Sequence, residues 1–170
     1  MSLPESSAAP TPGFNTRAVH AGQEFEPRTG AVVPPVHFST TYAQEAIGVL
    51  RAGYEYGRGT NPTRDSLQEQ LAALEGGTAA FSFSSGLAAE DTVIRSVCRP
   101  GDHVVIPDDA YGGTFRLFDK VEQVWGLAHS PAPVSDLEKV AAAIRPGDTK
   151  LVWVETPTNP LLNIGDIAAL

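Results

Sequence analysis

From residue 79 onward, short apolar runs alternate with helical patterns, and that alternation limits the fold more than any other feature of the chain. "AAFSFS" (79–84), "HVVIP" (103–107) and "KLVWVE" (150–155) read as strands, the last two almost continuously apolar. A strand apolar on both sides belongs in a parallel sheet with a layer over each face. Between them, "GLAAEDTVIRSVC" reads as a helix, and residues 113–125 set Phe115, Phe118 and Val121 along one side of another. "GLAHSP" reads as a short strand. "SDLEKVAAAI" reads as a helix opened by a capping box of Ser135 and Glu138. The repetition predicts an α/β layered fold, a mainly parallel sheet with helices on both faces.

Upstream the pattern changes. "RDSLQEQLAALEGG" spaces Leu67, Leu71 and Leu74 as on a helix and stops at Gly76-Gly77. Residues 15–62 are rich in Gly, Pro, Thr and Tyr and lack periodicity, which predicts extended segments with turns. Residues 1–14 read as a disordered arm; they have neither the basic start nor the apolar core of a secretory signal. "NIGDIAAL" begins a helix that reaches Leu170 without a capping glycine, as expected of a chain cut inside a larger domain.

Composition removes several classes of function. A net charge of −8 argues against nonspecific binding to nucleic acid or to an anionic membrane surface. No apolar run approaches the ~20 residues needed to cross a bilayer. Cys98 is the only cysteine, so no internal disulfide forms. It lies on an apolar helix pattern and reads as a buried structural thiol in a reducing, cytoplasmic setting. His20, His37, His103 and His129 show no metal-ligand spacing.

In such sheets ligands bind beyond the carboxyl ends of the strands. "SFSSGL" runs into a helix, and a Ser-Ser-Gly turn there presents free N–H groups to a phosphate. It equally suits a simple cap by Ser84 or Ser85. Tyr111, in "PDDAYGG", either stacks on a flat heterocycle or packs on its own helix. Its neighbours Asp108 and Asp109 offer acid groups or a solvated loop. Tyr56 and Arg58, two apart on an extended segment, suit a phosphate dianion or an exposed turn. "ETPTNP" puts Glu155 at a strand end and Asn159 in a proline-fixed turn. There Asn159 donates to an anionic oxygen or bonds its own backbone.

In order, "YEYGRGTNPTR", "FSSGLAA", "DDAYGGTFRLF" and "VWVETPTNPLL" resemble the pyridoxal-phosphate enzymes of cysteine and methionine metabolism, closest to their bacterial cystathionine γ-synthase branch. The resemblance runs from about residue 14 to Leu170. It implies the large domain of an aminotransferase-like (fold type I) α/β fold, truncated, with pyridoxal 5'-phosphate as cofactor. Tyr56 and Arg58 match the pair that reaches into a neighbouring subunit to hold the cofactor phosphate. Ser85, Gly86 and Leu87 match the backbone cup for that phosphate, with leucine where the family often has methionine. Tyr111 matches the tyrosine that stacks on the pyridine ring near the reacting atoms, and Asn159 the asparagine near the ring oxygen.

The implied organisation is an arm (1–14), a segment serving the neighbouring subunit (15–62) and the first part of the cofactor domain (63–170), in a dimer of dimers. The implied reaction is γ-replacement of an O-acylated homoserine by cysteine, giving cystathionine. Cystathionine γ-elimination, sulfhydrylation of the acylated homoserine and a non-catalytic fragment are the alternatives. The lysine that carries the cofactor, the aspartate on the ring nitrogen and the arginine for the substrate carboxylate match no residue up to Leu170. Lys120, Lys139 and Lys150 do not fit the lysine.

Overall fold

The structure, a computed structural model, describes residues 11–170, so most of the expected arm lies outside the described residues. The described chain divides into two compact units, residues 11–82 and 83–170.

In the first unit, helix α1 (Phe14–His20) stands where extended chain was expected, and it packs on helix α2 (Pro62–Glu75). Asn61 starts α2: its side chain accepts from the N–H groups of Thr63 (2.9 Å) and Arg64 (3.3 Å), and Pro62 takes the first helical position. Gly76 ends it in the left-handed conformation, φ 68°. The two helices are tied by polar contacts. Arg17 donates to Ala73 O, and Gln70 Nε2 donates to Ala18 O at 2.6 Å. Leu67 and Leu71 stay exposed within the unit. Strands β1 (Gln44–Ala46) and β2 (Val49–Leu50) form a small antiparallel hairpin.

The second unit holds a three-stranded parallel sheet in the order β4-β3-β5: β3 (His103–Pro107), β4 (Ala128–Ala132) and β5 (Thr149–Val152). Central β3 is buried at every residue, which explains its unbroken apolar run. One face carries Val104 and Ile106. They pack with Ile94 of helix α3 (Gly86–Val97), with Cys98 that caps its C-terminus, with Phe118, and with Leu127. The other face carries Val105, Ala132 and Val152 against Val140 of α6 (Leu137–Ala143). Helices therefore cover both faces, and Cys98 is a core thiol.

The helix expected at 113–125 is broken in kind. It begins as α4 (Gly112–Arg116), widens to a π-helical segment (Leu117–Glu122) and closes as α5 (Gln123–Trp125). The wider turn buries Phe118 and Glu122 together. Glu122 Oε1 takes Arg95 Nη2 at 2.9 Å, and the Arg95 guanidinium lies 4.6 Å from the Trp125 ring centre. Burial pushes the Glu122 carboxyl up, opposed by Arg95.

Three local expectations need correction. Residues 79–84 form no strand. A strand needs a ladder partner, and among the described residues this segment has none; Ser82 N donates instead to Gln68 Oε1 at 3.0 Å, and Phe81 and Phe83 are exposed. The cap of α6 is Asp136 rather than Ser135, its side chain accepting from Lys139 N at 3.1 Å. "GDIAAL" makes a single turn on Asp166, which takes Ala169 N and Leu170 N through its carbonyl. One turn is a helix nucleus without propagation.

Candidate functional site

Ser85 is the N-cap of α3, its hydroxyl accepting from Ala88 N at 3.1 Å. The cap does not use up the helix start. The N–H groups of Gly86 and Leu87 have no acceptor four residues back, and no other group takes them among the described residues. A Cβ built on Gly86 would meet nothing within 4 Å, so this glycine faces open space.

Tyr111 is the N-cap of α4, and the residue is 46% exposed. Its backbone N–H donates to Glu155 Oε2 at 2.7 Å, and Trp153 Nε1 donates to the other Glu155 oxygen at 3.4 Å. The ring lies against Gly113: a Cβ there would sit 2.3 Å from Tyr111 Cε1. Only glycine leaves the ring this position.

Asn159 is exposed, beside Thr158, which is fully buried. Thr158 donates its hydroxyl to Asp109 Oδ2, and Asn163 Nδ2 donates to the same oxygen at 2.9 Å. Asp109 is thus a half-buried brace, not part of a solvated loop; Asp108 is exposed. The loops after β3 and β5 are joined twice, through Glu155 and through Asp109.

Helix α3 joins the same region through Glu90, near Thr114 and Glu155. Glu90 Oε2 and Thr114 Oγ1 are buried without a well-formed hydrogen bond among the described residues. Burial pushes the Glu90 carboxyl up, the Thr114 hydroxyl opposes, and the Glu155 charge adds to the rise. No local pattern marks these roles for Glu90, Thr114, Asp109 and Thr158. A strand-end acid signalled Glu155 but not its partner.

Tyr56 and Arg58 lie in the other unit. Tyr56 pairs with Thr41 in an isolated antiparallel bridge, and Arg58 sits in the turn that follows. Gly59 N and Thr60 N both donate to Tyr56 O, at 3.0 and 3.1 Å. The turn still pairs them, with the Arg58 guanidinium 5.1 Å from the Tyr56 ring centre. Arg64 braces it by donating to the carbonyls of Arg58 (3.3 Å) and Gly59. Both side chains are exposed.

Among the described residues no group of His, Cys, Asp and Glu suits a metal ion, and no helix is long and apolar enough to cross a membrane.

The chain is similar to a cystathionine gamma-synthase of Mycobacterium tuberculosis, 57% identical over 158 residues, covering 93% of this chain and 40% of the relative. A cystathionine beta-lyase of Coxiella burnetii is 46% identical over 158 residues, again covering 92% of this chain and 40% of the relative. Among solved structures, metB from Corynebacterium glutamicum superposes with a TM-score of 0.89 at 50% identity, covering 94% of this chain and 41% of that one. Cystathionine gamma-lyase from Lactobacillus plantarum, complexed with L-serine, gives 0.83 at 44% identity, covering 92% and 40%. The chain thus spans about 40% of the length of the curated relatives it matches, and its fold is the first part of their α/β domain. The family model for Cys/Met metabolism PLP-dependent enzymes matches residues 15–170, and this chain belongs to that family.

Proposed function

We propose that this chain is the N-terminal part of a cystathionine γ-synthase, which forms a Cγ–S bond from cysteine to an O-acylated homoserine as the Cγ–O bond breaks and the acyloxy group leaves as a carboxylate. The observation that carries the reading is the 57% identity to a cystathionine gamma-synthase over nearly the whole chain. Relatives named as beta-lyase and gamma-lyase, at 46% and 44% identity, supply the second reading, cleavage of cystathionine.

The residues present fit pyridoxal 5'-phosphate. The free N–H groups of Gly86 and Leu87 at the start of α3, and the open space over Gly86, suit its phosphate. The ring of the half-exposed Tyr111 suits its flat heterocycle. When bound, the cofactor supplies an electron sink for carbanion charge on the substrate. Tyr111, its backbone held by Glu155, would stack on the ring and handle a proton near the reacting atoms. Asn159 would donate to the ring oxygen. Tyr56 and Arg58, paired and exposed, extend into the site of a neighbouring subunit, within a dimer of dimers in the cytoplasm. The lysine that carries the cofactor, the aspartate and the carboxylate-binding arginine belong to the remainder of the full-length protein. The 170-residue chain alone is then inactive.

The test is an assay of the full-length protein with O-acylated homoserine plus cysteine, with acylated homoserine plus sulfide, and with cystathionine alone. Cystathionine formation faster than cystathionine consumption supports the synthase. Net consumption supports a lyase instead.

A further inference from the structure

We infer that Asp109 is a positioning residue whose carboxylate fixes, from one point, both the turn that carries Tyr111 and the loop that carries Asn159. The inference rests on the cofactor-site reading above. Asp109 stands two residues before Tyr111, at the exit of β3. Its Oδ2 receives two donors from the loop after β5, the Thr158 hydroxyl and Asn163 Nδ2. Bonds from neutral donors to a charged acceptor are stronger than neutral pairs.

The loop closes on that contact. Thr158 Oγ1 also accepts from Asn163 N at 2.9 Å, Thr158 N donates to Asn163 O at 3.0 Å, and Leu162 N donates to Thr158 O at 3.0 Å. Thr158 is fully buried, so each of these bonds has one end shielded from water, while Leu162 and Asn163 are exposed. Leu162 is held at φ 58°, in the left-handed region that such a side chain rarely adopts. Such a residue persists where its surroundings over-determine the backbone, and those places cluster at ligand sites. Asn159 and Pro160 form the exposed tip of this closed ring. Asp109 itself does not suit acid–base work, because Oδ2 is committed to two donors and Oδ1 is buried without a partner among the described residues. What remains for it is to hold Asn159 and Tyr111 in register.

The test uses the full-length, cofactor-loaded protein with the variants Asp109→Ala, Asp109→Asn, Thr158→Val and the pairs of each Asp109 change with Thr158→Val. Asp109→Ala is expected to raise the cofactor dissociation constant and lower kcat, each about tenfold, and to change the absorbance and near-ultraviolet circular dichroism of the bound cofactor. Asp109→Asn, which keeps an oxygen for the two donors, is expected to recover most of both. The paired changes are expected to cost no more than the worse single change, since the two residues act through one contact. Additive losses, or a wild-type cofactor spectrum and kcat in Asp109→Ala, would overturn the inference. If Asp109→Ala does not fold, Thr158→Val decides alone: a wild-type cofactor spectrum and kcat in that variant would overturn the inference. A wild-type full-length protein that binds no pyridoxal phosphate refutes the cofactor-site reading itself, a result distinct from additivity among active variants.

Discussion

The backbone N–H of Tyr111 donates to Glu155 Oε2 at 2.7 Å, across the ends of two neighbouring parallel strands. The bond fixes the start of α4 and leaves the phenol free. A carboxylate that accepts backbone N–H groups is worth about 1.5–3 kcal/mol. In the full-length protein, Glu155→Ala is expected to lower kcat/KM by about tenfold or more, and Glu155→Gln, which still accepts, by about threefold or less. Equal losses in the two variants would show that charge, not the bond to Tyr111, matters at Glu155. Steady-state kinetics with a cofactor titration distinguishes them.

Two glycines separate space for a ring from space for a ligand. At Gly113 an added Cβ would collide with the Tyr111 ring. Gly113→Ala is therefore expected to displace that ring, visible as a changed Tyr111 environment even without cofactor. At Gly86 the added group meets no protein atom. Gly86→Val is expected to leave the melting temperature of the cofactor-free protein nearly unchanged and to weaken cofactor binding about tenfold or more, by crowding the phosphate. Unchanged cofactor affinity would reduce the Ser85-Gly86-Leu87 turn to a helix cap.

What could be read in the sequence was local. Helix α2 announced itself through its leucine spacing and its closing glycine, and β3 through an apolar run that only a sheet buried on both faces explains. A cap at Ser84 or Ser85 was visible in the turn before α3, and Ser85 supplies it. The π-helical segment was not, because it depends on Phe118 and Glu122 both finding buried partners. Strand 79–84 failed because strand propensity does not supply a neighbour. The braces on Tyr111 and Asn159 span 44 and 49 residues of sequence, Tyr111 to Glu155 and Asp109 to Thr158, and no spacing rule reaches that far. The candidate site residues share their motifs with the braces Asp109, Glu155 and Thr158, but no motif shows which brace meets which residue.

Tyr56 and Arg58 give a prediction about assembly. Their turn is braced by Arg64 and by its own backbone, yet both side chains remain exposed. If they complete a neighbouring subunit's site, full-length Arg58→Ala mixed with full-length protein lacking its cofactor-carrying lysine should regain activity. One site of each mixed dimer then has both wild-type groups, about a quarter of all sites after statistical mixing. Verified mixed dimers without activity would place Arg58 in its own subunit's site or outside any site.

Stability should fall with acid through His103. This residue is buried at the start of β3, with Nδ1 2.7 Å from Thr149 Oγ1 and Nε2 2.9 Å from Ser130 Oγ. Arg145 already donates to both hydroxyls, from its backbone N at 2.8 Å and its guanidinium at 3.1 Å. A doubly protonated ring would have to compete for those same acceptors. Burial, then the Arg145 charge, push the imidazole below its ordinary value of 6.5, with Asp148 opposing. The unfolded chain therefore takes up a proton at a pH where the folded chain does not. The contribution is complete above about 6.5 and is lost as pH falls through the lowered folded value. His129, also pushed down by burial, adds a slope of the same sign. Urea unfolding of the full-length protein at pH values between about 7.5 and about 5 should show a falling midpoint, and His103→Asn should flatten part of that fall. An unchanged slope in the variant would mean that His103 keeps the same proton affinity folded and unfolded.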